Sequence, residues 1–304
     1  MAITLTQLTA FLAVLRGGSV TAAADELVVT QPSVSSALAA LGRELGCELF
    51  ERSGRGIRVT DAGAAFAPYA ADVLGLLQTG RQAAREAAAV AARRLQIAAV
   101  TTAAESFVPP LMRAFSDEHP EIALTLAVGN REFVLEGVRN HTFDVAILGK
   151  PPEDERLMAQ PLADNEIACI TAADDPACDR VLSAAELGGR LWLLREPGSG
   201  TRVLNERFLA DRGLHPSTMT LGANGAIKQA ARAGLGVSLV SRATVAADLA
   251  SGRLGELRLT DGPQPRSWFV LRSAIGPIRP PVETFISFVL DAGETLAVSP
   301  PASV

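Results

Sequence analysis

Two clusters of side chains in this 304-residue chain have the types and spacing to do chemistry, and both suit anions. The first is Arg52, Arg55 and Arg58, with Gly54 and Gly56 between them. Arginines at every third position on a glycine-turned loop make a positive finger for phosphates or a narrow minor groove. The second is the run Arg195-Glu196-Pro197-Gly198-Ser199-Gly200-Thr201-Arg202, just ahead of a helical stretch. Free backbone N–H groups, the positive helix end and the side chains of Ser199, Thr201 and Arg202 favour an anion there. The same residues also read as a plain strand-to-helix turn with a capping hydroxyl, and spacing alone does not separate the two. The run is neither a P-loop nor a Gly-x-Ser-x-Gly nucleophile turn, and Gly234-Leu235-Gly236 reads as a helix-to-strand turn. No paired carboxylates, nucleophile–base set or metal-ligand spacing stands out, so no catalytic residue and no metal is expected. Cys47, Cys169 and Cys178 suit reduced thiols, with a regulatory Cys169–Cys178 disulfide as the alternative.

The arginine finger follows a helix pair. Ser19 can cap a helix whose Ala22, Ala23 and Ala24 allow close approach, and Leu27, Val28 and Val29 are expected to form the apolar contact at the turn. Thr30 is placed as the next cap, before Gln31-Pro32. Val34, Leu38, Leu41 and Leu45 then fall on one helix face. Gln31, Ser33, Ser35 and Ser36 lie on the other, where short polar groups could meet base edges and phosphates. DNA binding and a packing module with a solvated basic hairpin both fit this pattern.

Residues 19–60 resemble the winged helix-turn-helix of the LysR-type transcriptional regulators. The matching residues are Ser19, Ala23, Ala24, Leu27, Gln31, Pro32, Ser35, Leu49, Phe50, Arg52 and Thr60. The resemblance implies double-stranded DNA as partner, with Ser19, Thr21, Thr30, Gln31, Pro32, Ser33, Ser35, Ser36, Arg52, Arg55, Arg58 and Thr60 as its candidate contacts. Many family members carry a basic residue where this chain has Ser36, which shifts the expected affinity toward the wing arginines.

A chain of this length exceeds the usual single core, so two or three domains are expected. With 48% apolar and 20% charged residues it is globular. The net charge of −5 excludes a chain that is basic throughout, although local charge is what DNA binding needs. No leader pattern and no apolar run of membrane length is present, so a cytoplasmic protein with no membrane partner is expected. The Ala-rich stretch 61–92, with Asp61 as N-cap and Phe66, Ala70, Val73, Leu77 and Ala84 at helical spacing, reads as one long helix that Pro68 and Gly75 could kink. Its position, and the family resemblance, make it a linker and dimerisation helix.

From Arg93 the pattern becomes strand, helix, strand, helix, strand, which implies a parallel sheet covered by helices. Ligands on such sheets sit at the carboxyl ends of strands, here Thr101, Thr102, Asn130 and the Gly149-Lys150 step. A second α/β unit follows, with crossings between the lobes expected near Pro161 and Pro263 and a final strand and helix rejoining the first lobe. Residues 94–294 resemble the effector-binding region of the same family. Residues 129–152, 193–202 and 223–241 resemble one subgroup, the regulators of Calvin-cycle (RuBisCO) operons. That subgroup answers to phosphorylated metabolites or NADPH; one departure is Gly225 in place of its usual Glu. The implied fold class is α/β, with an all-α winged helix-turn-helix domain (1–60), a linker helix (61–92) and a two-lobed effector domain like a periplasmic binding protein (93–304). Lobe I is expected over about 93–162 and 266–295, and lobe II over about 163–265. The expected effector site is Thr101, Thr102, Asn130, Lys150, Ser199, Thr201, Arg202 and Asn224, holding a small anion and no other cofactor. The expected assembly is a homodimer through the linker helix and a homotetramer beyond it, with RNA polymerase as a candidate partner. The rival readings are an α/β enzyme, or a solute-binding domain, fused to a helix-turn-helix module. The tail 297–304 is expected to be disordered.

Overall fold

The computed structural model describes residues 3–53, 56–89, 93–264 and 266–296. Arg55, the last part of the expected linker (90–92) and the tail 297–304 lie outside the described residues. By its contacts the chain forms two compact units, one of Met1–Ala89 together with Arg139–Thr142 and the other of Val90–Val138 and Phe143–Val304.

The first unit opens with α1 (Leu5–Gly17), α2 (Val20–Leu27) and α3 (Gln31–Leu45). Thr4 and Gln7 form a reciprocal capping box on α1, and Gly18, at φ +64°, ends it. The Ser19 hydroxyl accepts from the Ala22 N–H at 3.0 Å and caps α2. Val14, Ala23, Ala24 and Val34 are buried where the three helices meet. The turn contact differs from expectation. Val28 adopts φ +55°, a conformation strained for a β-branched residue, and stands 90% exposed. Val29 is exposed as well, so Leu27 alone packs inward. Thr30 occupies the cap position of α3, but its hydroxyl pairs with that of Ser33 at 2.8 Å.

An antiparallel hairpin follows, β1 (Phe50–Ser53) with β2 (Gly56–Val59), and then α4 (Asp61–Ala88). Thr60 caps α4, in place of the expected Asp61: its hydroxyl accepts from Gly63 N–H at 3.0 Å and donates to the Glu48 carbonyl at 2.7 Å. A Cβ at Gly63 would lie 2.3 Å from the Leu49 carbonyl oxygen, so only glycine lets this helix start against the hairpin. The 28 residues of α4 run unbroken through Pro68 and Gly75. The expected apolar stripe divides in two. Phe66, Ala70 and Leu74 join the core of this unit, while Tyr69, Val73 and Leu77 stay exposed at every fourth residue.

The second unit begins with β3 (Arg94–Val100), a single turn α5 (Thr101–Ala104), α6 (Val108–Glu118), β4 (Ala123–Gly129), α7 (Arg131–Arg139), β5 (Val145–Leu148) and β6 (Leu157–Asn165). The chain continues through β7 (Ile167–Thr171), β8 (Val181–Leu182), β9 (Trp192–Arg195), α8 (Gly200–Ala210), β10 (Thr218–Leu221), α9 (Asn224–Arg232), β11 (Ser238–Ser241), α10 (Ala246–Ala250), β12 (Gly255–Glu256) and β13 (Arg258–Leu259). It ends with β14 (Arg266–Ser273) and α11 (Pro280–Leu296). Lobe I holds the five-stranded sheet, in the order β4-β3-β5-β14-β6. Its first three strands are parallel, and β14 lies antiparallel to both neighbours. Phe115, Trp268, Phe285 and Val289 fill one of its faces. Lobe II is smaller, with β7 between β11 and β12, and β9 parallel to β10. Trp192, Leu194, Phe208 and Leu239 share its core.

The crossings correct the expected lobe boundary. Pro161 lies inside β6, paired with Phe269, and β6 keeps pairing with β14 up to Asn165. The lobe I strand therefore runs three residues past the expected end at 162, and the chain crosses at Glu166. Proline is tolerated there because β6 is an edge strand.

Candidate functional site

The C-terminal ends of β3, β4 and β5 point at one cleft in the second unit. Val100, Thr101, Gly129, Asn130, Gly149 and Lys150 line its lobe I side, and Ser199, Gly200, Thr201 and Leu204 its lobe II side. Its empty volume is about 570 Å³ with the open mouth included. Asn130 is positioned by α7, whose Phe133 N–H donates to its side-chain oxygen at 2.9 Å. The turn into α8 comes close to that residue. Gly198 has φ +83°, and a Cβ on it would lie 2.9 Å from Asn130 Nδ2. The conformation calls for glycine, and any larger residue would also displace the Asn130 side chain.

Among the described residues lining the cleft are four cations, Arg131, Lys150, Arg195 and Arg266, and no carboxylate, although Glu132 stands beside the Gly198 turn. Arg195 is 4% exposed in its side chain and is held by Glu196, at 2.7 and 2.8 Å, and by Asn224 Oδ1. Arg131 donates to the Lys150 carbonyl at 3.3 Å. Arg266 is different. Burial pushes it below the ordinary arginine value, and the charges of Arg131 and Arg207 push it further. It has no carboxylate partner among the described residues. An arginine stays charged even so, and a largely dehydrated guanidinium with like-charged neighbours is stabilised by an anion brought to it.

Three contacts reach across the cleft near its inner end. The Thr102 and Thr201 hydroxyls lie 3.4 Å apart, and Asn224 Nδ2 donates to Thr102 Oγ1 at 3.2 Å and to Glu105 Oε2 at 3.0 Å. Ser199 is buried at the N-cap of α8, yet its hydroxyl makes no cap bond. The first N–H groups of α8 have no partner within the helix and face the same space.

Among the expected site residues, Thr101, Thr102, Asn130, Lys150, Ser199 and Thr201 meet in the cleft. Asn224 sits behind it as the clamp on Arg195. Arg202 does not reach the cleft: it bonds Glu206 at 2.7 Å, the Arg195 carbonyl at 2.9 Å and Thr220 at 3.3 Å. One residue on in a helix turns a side chain by about 100°, and Thr201 already takes the cleft direction. Arg131 and Arg266, together with the bonded pair Asn165 and Ser241, were not expected, and Arg195, which opens the singled-out run, was not named as a contact. Arg131 follows a residue already singled out, and Arg266 opens the strand after the second crossing. Those placements were the available signal.

The first unit gathers the polar residues of α3. Gln31, Pro32, Ser33, Ser35 and Ser36 are all exposed, while Val34 and Leu41 are buried beneath them. On the hairpin, Arg58 pairs with Glu51 directly across the strands. Arg52 has no ion-pair partner among the described residues and is exposed. The wing charge is therefore smaller than the arginine spacing suggests. Ser19 and Thr60 use their hydroxyls as helix caps, and the Thr60 donor is already taken by Glu48. Thr21 is exposed on α2.

Residues 5–64 match the model described as "Bacterial regulatory helix-turn-helix protein, lysR family", and residues 88–294 match the one described as "LysR substrate binding domain". The chain belongs to the LysR family. As a LysR-type regulator, it is similar to the RuBisCO operon transcriptional regulator of Acidithiobacillus ferrooxidans, at 34% identity over 95% of this chain and 94% of that one. The regulator CbbR of Rhodospirillum rubrum is 35% identical over 96% of this chain and 97% of its own length. Among solved structures, the Synechocystis PCC6803 CcmR regulatory domain in complex with 2-PG has a TM-score of 0.63 at 30% identity, covering 67% of this chain and 98% of that chain. Full-length CbnR shares the fold, at a TM-score of 0.62 and 22% identity over 95% of this chain and 99% of its own. These relatives are transcriptional regulators, not enzymes. The LysR-type regulator thus joins a DNA-binding helix-turn-helix to an effector-binding region. Among the described residues, no helix is long and apolar enough to cross a membrane.

Proposed function

We propose that this regulator changes its DNA binding when a small phosphorylated acid enters the lobe I–lobe II cleft. The observation that carries this is Arg266, largely buried at the second crossing with no carboxylate partner among the described residues, beside Arg131 and Lys150. The Ser199 and Thr201 hydroxyls and the start of α8 supply neutral donors opposite these cations. The ligand named for the CcmR domain, 2-phosphoglycolate, has this chemistry. The interlobe bonds of Thr102 and Asn224 close the inner end of the cleft and favour such a small acid over NADPH. Lobe movement on binding would then alter how paired DNA-binding units sit on their sites.

For the DNA side, α3 offers its exposed Gln31, Ser33, Ser35 and Ser36 to the major groove, and Arg52 with Arg55 serves the backbone. The exposed Tyr69, Val73 and Leu77 of α4 support a homodimer through that helix. A tetramer and contact with RNA polymerase extend the same reading. Isothermal calorimetry of the full chain with 2-phosphoglycolate, joined to footprinting on its own upstream DNA, tests the proposal. One ligand bound per chain and an altered footprint are expected. If 2-phosphoglycolate, other phosphorylated acids and NADPH all give neither heat nor a changed footprint, the anion reading fails.

A further inference from the structure

A second groove lies behind the cleft. Helix α8 borders both spaces: Gly200 and Thr201 line the cleft, Val203, Arg207 and Asp211, four residues apart, line the groove, and Leu204 lies between them and lines both. Strand β14 divides likewise, with Trp268 in the cleft and Phe269 in the groove. The groove's empty volume is about 1110 Å³ with the open mouth included, larger than the cleft's 570 Å³. Its apolar lining comes from Val203, Leu204 and Phe269, while the ring of the buried Phe208 is covered by the Arg212 guanidinium at 3.9 Å, and among the described residues its charges are four cations against the single carboxylate of Asp211. That carboxylate is a poor neutraliser, since it lies 3.7 Å from Arg207 and both side chains are exposed. Lys150, Leu204 and Arg266 line both spaces, and Arg207 in the groove is one of the two arginines whose charge acts on Arg266.

We propose that this groove is a second effector site, for an amphipathic anion with one acidic group on an apolar or aromatic body. The acidic group sits against Arg207 and Arg266, and the body lies along Val203, Leu204 and Phe269. Because the two sites share Arg266 and Lys150, an anion in one weakens an anion in the other. By linkage the factor is the same in both directions. This coupling rests on the cleft reading given above; the groove itself does not.

The test uses the full chain and the fluorescent sulfonate 8-anilinonaphthalene-1-sulfonate. Val203→Trp fills the groove from an exposed position, and Arg207→Gln removes its outer cation. Neither residue lines the cleft. We expect saturable binding of one probe per chain, weakened at least tenfold by either variant, with 2-phosphoglycolate affinity by calorimetry kept within about threefold. Saturating 2-phosphoglycolate should weaken the probe about three- to tenfold and then level off. Probe binding unchanged in both variants overturns the proposal, as does complete displacement of the probe by 2-phosphoglycolate, which would place both in one site. Should calorimetry show no 2-phosphoglycolate binding at all, the cleft reading and the coupling fall, while the two variants still decide the groove.

Discussion

Arg266→Met tests the electrostatic argument because it should move stability and binding in opposite directions. This guanidinium is largely out of water, has no carboxylate partner among the described residues and faces the charges of Arg131 and Arg207. Methionine keeps much of the length and none of the charge. Replacing a poorly compensated buried charge by an apolar side chain is neutral or stabilising, here by on the order of 1 kcal/mol. For an effector region of this size that corresponds to a rise of roughly 2–4 °C in melting temperature. With a phosphorylated acid bound, the same arginine makes charge-assisted bonds worth about 2–3 kcal/mol, so its loss should weaken binding about 30- to 150-fold. Scanning calorimetry without ligand and titration calorimetry with 2-phosphoglycolate read the two effects. A variant that melts several degrees lower and binds 2-phosphoglycolate as tightly as the parent would refute the reasoning, since Arg266 would then be a structural residue with a partner of its own. The arginine is thus a case of stability given up for binding.

The contrast between neighbours in α8 gives a second prediction. Thr201→Val should weaken 2-phosphoglycolate binding about tenfold in calorimetry, whereas Arg202→Ala should leave it within about twofold, because Arg202 is bonded to Glu206 and Thr220 away from the cleft. On α3, Ser36→Arg adds a cation at an exposed position and should steepen the salt dependence of DNA binding by about one unit of slope, read by fluorescence anisotropy across salt concentrations. Asp175 gives a pH prediction. Its hydrogen bond with Arg190, helped by Ala177 N–H and Thr171, holds its carboxyl well below the ordinary value against the opposing effect of burial. A lowered carboxyl stabilises the fold above its unfolded value of about 4 and loses that contribution as pH falls toward the folded value. Asp175→Asn should therefore melt lower than the parent at pH 7, and the gap should narrow below about pH 4. Burial pushes the Cys169 thiol up to about 12, so alkylation by iodoacetamide at pH 8 should spare it and label the exposed Cys47.

Local patterning made much of this protein legible in its sequence. The buried stripe of α3, the glycine stop of α1, the strand–helix alternation and the anion-suited loop before α8 depend on neighbours within a few residues, where dihedral preference and periodicity act. The hydroxyls and strand ends of the cleft could be named for the same reason. What the sequence could not settle was direction and pairing between distant segments. Only the tertiary structure turned Arg202 away from the ligand and Thr201 toward it, set Glu51 across from Arg58, and split the α4 stripe between an inner and an outer face. It also placed Pro161 inside an edge strand, which moved the lobe boundary to Asn165. Above all it brought Arg131, Arg195 and Arg266 from three separate elements to one cleft. The charge of each is written in the sequence, but whether it has a partner is decided by what folding packs beside it.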